Sequence, residues 1–271
     1  MLLFGTAGIP NSAKKDTFSG IMKLRELKLE AMELEFVHGV KISHINAQKI
    51  NTFSNKNNIS LSSHAPYYIN LNSLEKEKVE ASIVRIIKTA EISHICGARN
   101  IVIHPGYYHN MDKLDAYNNI KKALKRAVEE IQSYNVILRV ETMGKLTQFG
   151  SLEEVLNLSQ DLGPKVMPCI DFAHLHARTI GKLNTYQEFC QILDNVEHKL
   201  GKKGIKDIHI HVSGIKYSEK GELHHLNLKE SDFNYIDFIK SLKDLEVEGL
   251  VICESPNLEE DAIMLKELYH N

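Results

Sequence analysis

No cysteine pair in this chain has the spacing of a metal or redox motif. Cys96, Cys169, Cys190 and Cys253 are the only four, scattered singly along 271 residues. A Cys-rich structural zinc site is thereby excluded, and a disulfide framework is not expected in a chain of this length. The thiols read as free and buried in a reducing compartment. No stretch reaches the roughly 18 apolar residues needed to cross a bilayer. The opening MLLFGTAGIPNSAKK has no basic segment before its short apolar run, so it reads as a first strand and not as a signal peptide. The cytoplasm is the expected location, with no membrane partner. Neither charge sign dominates: Lys and Arg total 33 against 35 for Asp and Glu, a net charge of −2. That balance does not fit a protein that coats nucleic acid, but it leaves room for a basic rim around a site. No Pro/Gly/Ser-rich linker, low-complexity tract or long charge block divides the chain, so a single domain over 1–271 is expected.

What is present is a repeat of pattern. Short apolar runs fall at 2–5, 32–36, 59–64, 100–104, 136–140, 166–171, 205–211 and 249–254. They have the character of strands buried on both faces of a parallel sheet. The longer segments between them read as amphipathic helices. In 74–93, Val79, Ile83, Ile86, Ile87 and Ala90 share one face, with Asn72 and Ser73 as N-cap candidates and Gly97 at the C-terminal stop. The segment 114–134 repeats the pattern with Leu114, Tyr117, Leu124, Val128 and Ile131. Strict strand–helix alternation predicts right-handed βαβ units. Eight units in this length predict a closed (β/α)₈ TIM barrel. A doubly wound open sheet often carries a GxGxxG turn after its first strand, and that turn is absent.

The ends of the runs carry the chemistry. Runs three to eight end at His64, His104, Glu141, Asp171, His211 and Glu254, and His174 lies three residues after Asp171. In a parallel barrel all carboxyl ends share one face, so these six side chains converge from distant parts of the chain. One such His alone is more often a hydrogen-bonded rim residue, but six together point to metal. Imidazole and carboxylate without thiolate suit Zn or Mn, Fe, Co and Ni, and the number of His is too high for Mg or Ca alone. The donors exceed what one four-coordinate zinc uses, so a second ion is expected. Further donors are available from His174 and from the segment Gly221-Glu222-Leu223-His224-His225. Such a site lowers the pKa of a water and neutralises attacking and leaving oxygens, as phosphoester hydrolysis requires. It equally suits metal-assisted sugar isomerisation, and spacing alone leaves both open.

The pieces HAPYYINL at 64–71, IHPG at 103–106, ET at 141–142, CIDFAH at 169–174, HVSG at 211–214, HH at 224–225 and ESP at 254–256 resemble the endonuclease IV family of apurinic/apyrimidinic (AP) endonucleases, in its shorter archaeal-type form. The resemblance runs from strand three to strand eight. It implies a (β/α)₈ barrel with up to three zinc ions at its mouth, manganese being an alternative. By this resemblance His64 and His104 hold one ion, and Glu141 bridges it to a second completed by Asp171, His211 and Glu254. His174, His224 and Glu222 hold the third, with Glu222 standing where the family has Asp. Tyr67, Tyr68 and Asn70 belong to the loop that enters DNA at the lesion, where Tyr68 replaces an aliphatic residue. The opening FGTAGIP lacks the family's His, and FVHGVKIS lacks its arginines, leaving His38 and Lys41 as the basic residues there. The implied function is a monomeric zinc-dependent endonuclease of DNA repair. It would cut damaged double-stranded DNA 5′ to an abasic site, with Glu141 as the catalytic residue. The competing expectations are a metal-dependent sugar or sugar-phosphate isomerase or epimerase on the related xylose-isomerase-like barrel, and a non-catalytic metal- or DNA-binding protein.

Overall fold

A run of β-branched residues flanked by amphipathic helices has two faces to bury, and a closed parallel barrel buries one inside and one beneath the helices. The computed structural model describes Met1–Asn271 in full. The strands are β1 (Leu2–Ala7), β2 (Ala31–Glu35), β3 (Ser60–His64), β4 (Asn100–Ile103), β5 (Ile137–Glu141), β6 (Val166–Asp171), β7 (Ile208–Val212), β8 (Gly214–Ser218), β9 (Gly221–Leu226) and β10 (Gly249–Cys253). Eight of them close in the order β1-β10-β7-β6-β5-β4-β3-β2, all parallel. The helices are α1 (Thr17–Glu26), α2 (His44–Asn57), α3 (Lys76–Cys96), α4 (Lys113–Glu130), α5 (Leu152–Leu162), α6 (Phe172–Arg178), α7 (Tyr186–Leu200), α8 (Lys202–Lys206), α9 (Tyr235–Asp244) and α10 (Glu259–His270). The apolar core lies between this ring and the barrel wall, for example where Phe172, Phe189, Phe233 and Phe238 pack together. No helix is long and apolar enough to cross a membrane.

All eight expected strands are present, and their boundaries shift for local reasons. The seventh begins at Ile208 and not at 205, because 202–206 winds into the short helix α8. The helix expected over 74–93 runs over Lys76–Cys96. Neither Asn72 nor Ser73 is its N-cap. Asn72 is buried with its amide donating to the Tyr107 carbonyl at 2.8 Å, and Glu75 takes the cap position without a side-chain bond. Gly97 closes the helix as expected, at φ 77°, and a Cβ there would sit 2.7 Å from Asn51 Oδ1. The segment 214–226 is an antiparallel hairpin, β8–β9, standing on the carboxyl-end face.

The barrel interior is mixed, with Ala31, Leu250 and Ile252 packed together on one side and polar side chains elsewhere. Strand side chains alternate, so the residues two before the expected ligands also point inward. Arg139, two before Glu141, is fully buried and donates to Asn100 Oδ1 and to the Asp207 carbonyl, both at 2.8 Å. Above it Glu33 and His209 form a second buried layer, and the ligand layer caps both.

Candidate metal centre

Glu141 stands at the middle of the mouth. Its Oε2 lies 2.9 Å from His104 Nε2 and 3.5 Å from His64 Nε2, and its Oε1 lies 3.3 Å from His174 Nδ1 and from His211 Nδ1. Distant strand ends deliver these contacts because parallel register aligns the carboxyl termini, with Asp171 paired to His211 and Glu141 to Cys169. Four groups of donor atoms result, each within 4.8 Å: His64–His104–Glu141, Glu141–Asp171–His211–Glu254 and Asp171–His174–His225 at the mouth, and Cys169–His209–His211 beneath it. The sharp turn after β6 lets one motif serve two groups. Asp171 caps α6 by accepting the His174 backbone N–H at 2.7 Å, which brings its other oxygen 3.3 Å from His174 Nδ1.

The third group corrects one expectation. His224 is exposed on the outer side of β9, and His225 faces the mouth instead, 3.4 Å from His174 Nε2. The cause is a β-bulge. Tyr217 pairs with Glu222 while Lys216 pairs with His224, so Leu223 is an unpaired extra residue and the alternation slips by one. Glu222 and His225 therefore share the inner face, and Glu222 Oε2 lies 3.5 Å from His174 Nε2. The hairpin is held close by backbone. Glu222 N–H donates to the Gly144 carbonyl at 3.2 Å, and a Cβ on Gly144 would stand 2.7 Å from the Glu222 Cβ.

Beneath the ligands, Glu33 is fully buried and receives Ser62 Oγ at 2.7 Å and His209 Nε2 at 3.1 Å. Its other oxygen lies 2.9 Å from His211 Nε2. A carboxylate on that side of the ring leaves His211 Nδ1 facing Glu141 and Glu254, which is how a ligand imidazole is oriented. Sequence reading missed Glu33. The available signal was charge inside an apolar strand: Glu33 and Glu35 in β2 repeat the two-residue step of His209 and His211 in β7.

The donors fit a metal. Glu141 Oε2, Asp171 Oδ2 and both ring nitrogens of His211 are buried without a hydrogen-bond partner, although opposite charge stands only 2.9–3.5 Å away. Such groups are costly unless something between them bonds to several at once. A tetrahedral ion with bonds of about 2.0–2.2 Å places its ligand atoms about 3.4 Å apart, and the spacings here match. The electrostatics agree. Burial alone would raise the Glu141 pKa, but the charge of His104 and the imidazoles of His174 and His211 beside it hold it well below the ordinary range. Burial would lower that of His64, yet the Glu141 carboxylate beside it and the Glu35 charge push it up to about 9. For Asp171 burial wins and raises the pKa to about 6. Imidazole and carboxylate bind an ion in their deprotonated forms, so an ion taken up here would release protons.

Around the rim, Tyr67 is half exposed, with its ring 5.1 Å from that of His64 and 5.4 Å from that of His104. Tyr68 turns away from the mouth, beneath the Arg85 guanidinium. Asn70 does not face the mouth. It donates to His109 Nε2 at 2.9 Å and packs under Gly106, bracing one loop against the next. The mouth is a cavity of about 260 Å³ that also exposes Lys145, a cation absent from the sequence-level candidates.

A model of the xylose isomerase-like TIM barrel family matches residues 21–268. The chain belongs to that family. It is 51% identical to the uncharacterized protein MJ0133 of Methanocaldococcus jannaschii, over the whole chain and 97% of that protein. A probable endonuclease 4 of Mycoplasma pneumoniae is 26% identical over 76% of the chain and 72% of its own length. Among solved structures, endonuclease IV of Thermus thermophilus superposes with a TM-score of 0.75 at 17% identity, covering 98% of this chain and 97% of that one. A D-tagatose 3-epimerase-like protein superposes with a TM-score of 0.73 at 22% identity, covering 98% and 96%. These structural likenesses establish a shared fold. As a member of the xylose isomerase-like barrel family with buried His/Asp/Glu clusters, the chain is a metal-binding enzyme of that class.

Proposed function

We propose that this xylose isomerase-like barrel is a zinc-dependent AP endonuclease that hydrolyses the DNA phosphodiester 5′ to an abasic site. The observation that carries the reading is the extent of the ligand set. A four-residue group, Glu141–Asp171–His211–Glu254, would serve one ion, but His64 with His104 and His174 with His225 extend it on both sides. Donors gathered on both sides of one carboxylate suit a reaction in which nucleophile, phosphoryl oxygen and leaving oxygen all need charge neutralised. Ions held there would supply a water of lowered pKa and stabilise the attacking and leaving oxygens of an in-line displacement. Glu141 ties the groups together, Glu33 keeps His211 turned to the centre, and Lys145 places a positive charge where the phosphodiester enters. Tyr67 offers a ring beside the mouth for stacking, worth about 1–3 kcal/mol per base in single-strand binders. An abasic nucleotide has no base to unstack, so drawing it into the mouth costs less than for a normal nucleotide. The 26% identical probable endonuclease 4 supports this reading from sequence.

The test is incision of an end-labelled duplex bearing one synthetic abasic site. Cleavage 5′ to the lesion is expected, lost on chelation and restored by zinc, with Glu141→Gln falling to background while circular dichroism stays unchanged. No cleavage with zinc, manganese or cobalt would sink the reading.

A second reading has its own observation. A cavity of about 540 Å³ beside the mouth is walled by Met32, Leu34 and Phe36 with Glu33 and Glu35 among them. Its size and mixed lining suit a small polar molecule, as a sugar isomerase or epimerase would need. Turnover of a ketose or its phosphate without incision of abasic DNA would decide for it.

A further inference from the structure

Beside the metal mouth lies a smaller cavity, about 210 Å³, between the β2–α2 loop and the flank of α3. His38 and Lys41 enter it from the loop, Arg85, Lys88 and Thr89 from the helix, and Tyr68 from above. No carboxylate lines it. The acids nearest along the helix are engaged elsewhere, Glu91 with His44 at 3.3 Å and Glu80 with Arg126 at 2.6 Å. Lys41, Arg85 and Lys88 make no ion pair, so no carboxylate of the chain neutralises them. Arg85 is half-buried and fixed in direction by stacking on Tyr68, with its guanidinium 4.6 Å from the ring centroid. Three converging cations repel one another, and that repulsion turns into attraction when an anion enters.

The position of this cavity relates it to the metals. Tyr67 lines the mouth and Tyr68 lines the basic cavity. The two residues are consecutive, so one loop borders both cavities. A polyanion held at the metals and continuing over the Tyr67–Tyr68 step meets Lys41 and Lys88 next. A DNA strand carries one phosphate per about 3.4 Å of axis, so a strand that passes over this loop brings flanking phosphates with it.

We propose that His38, Lys41, Arg85 and Lys88 form a phosphate-binding subsite that holds the substrate strand beside the scissile nucleotide. The proposal rests on the reading of the metal mouth as a phosphodiesterase site. It gives the protein a local anion grip that its net charge of −2 conceals.

The experiment compares the zinc-loaded wild type with Lys41→Ala/Lys88→Ala, two exposed positions whose removal leaves the core intact. Anisotropy titrations of a fluorescein-labelled duplex with a tetrahydrofuran abasic analogue are run across a salt series, with zinc content and Tm measured in parallel. The expected result is an affinity loss on the order of tenfold and a salt slope reduced by about 1–2, with zinc content and Tm unchanged. Equal affinity and slope in both proteins, while the wild type still incises the lesion, overturn the subsite and leave the endonuclease reading standing. If the wild type neither binds nor incises the duplex, the endonuclease reading fails and the strand assignment fails with it. Calorimetry with inorganic phosphate and ribose 5-phosphate then separates the sources. Saturable binding lost in the double variant keeps the phosphate site and assigns it to a sugar phosphate, and no heat in either protein removes the site altogether.

Discussion

Two histidines adjacent in sequence have different fates here. His225 joins His174 and Asp171, while His224 faces solvent. His225→Ala is expected to lose one equivalent of bound metal by atomic emission, and His224→Ala to keep all of it. The reverse pattern would mean that the bulge at Leu223 does not persist in solution. Glu33 is the other residue whose role is positional. It touches no reacting group and acts through His211. Carboxylates behind ligand histidines contribute about 10–100-fold to metal affinity. Glu33→Gln should weaken zinc binding by about that factor in a competition with a chromophoric chelator, and should shift the ¹⁵N resonances of His211 toward a mixture of tautomers. An unchanged affinity with unchanged resonances would show that barrel packing alone orients the ring. The donor residues that meet at the mouth were legible in the sequence because no local packing reason selects His, Asp and Glu at the ends of six successive strands. Glu33 was not, because nothing in a single strand says that a charge inside it will meet His211 from a strand far along the chain.

The β8–β9 hairpin is the element that completes the mouth. It stands on the β5–α5 loop through backbone contacts, the Glu222 N–H bond to Gly144 and the bridge between Lys145 and Gly221. Glycine is required on both sides. A Cβ on Gly221 would lie 2.2 Å from the Gly144 carbonyl oxygen, and one on Gly144 would press on Glu222 and His174. His176 anchors the far side, with Nε2 3.0 Å from Asp232 Oδ1, while Tyr217 donates to Asp232 Oδ2 at 2.6 Å. Gly144→Ala should therefore push the hairpin outward. We expect loss of the ion held by His174 and His225, retention of the ion held by Glu141, Asp171, His211 and Glu254, and a Tm within a few degrees of wild type. A crystal structure of the zinc-loaded variant would check this, and full occupancy of all sites would refute the packing argument. In sequence 221–225 read as a donor-bearing segment after the seventh strand, and its hairpin went unseen. Its strands are short and mixed in polarity, and its bulge breaks the alternation by which strands are recognised.

For the molecule as a whole, the mouth gathers buried like charges that only partners of opposite sign make tolerable. Glu33, Glu141 and Asp171 are nearly inaccessible to solvent, and Glu254 lies beside them. Ions that bind the folded state alone stabilise it by mass action, by about 2.7 kcal/mol per site at a hundredfold excess over Kd. Chelation should lower the Tm by several degrees, zinc should restore it, and the upward shift should grow with the logarithm of free zinc. A Tm indifferent to chelator would argue that the clusters hold protons and not metal.

The sequence by itself determined the barrel, because eight apolar runs separated by amphipathic segments have few ways to bury both faces of every strand. It also determined the kind of chemistry, because donor residue types at strand ends survive any small error in strand boundaries. Only the tertiary structure decided which of two neighbouring histidines faces the mouth, that Glu33 backs His211, and that Lys41, Arg85 and Lys88 surround one cavity. Those outcomes depend on a one-residue slip in a hairpin and on the closure of distant strands into a ring, and neither leaves a local mark in the chain.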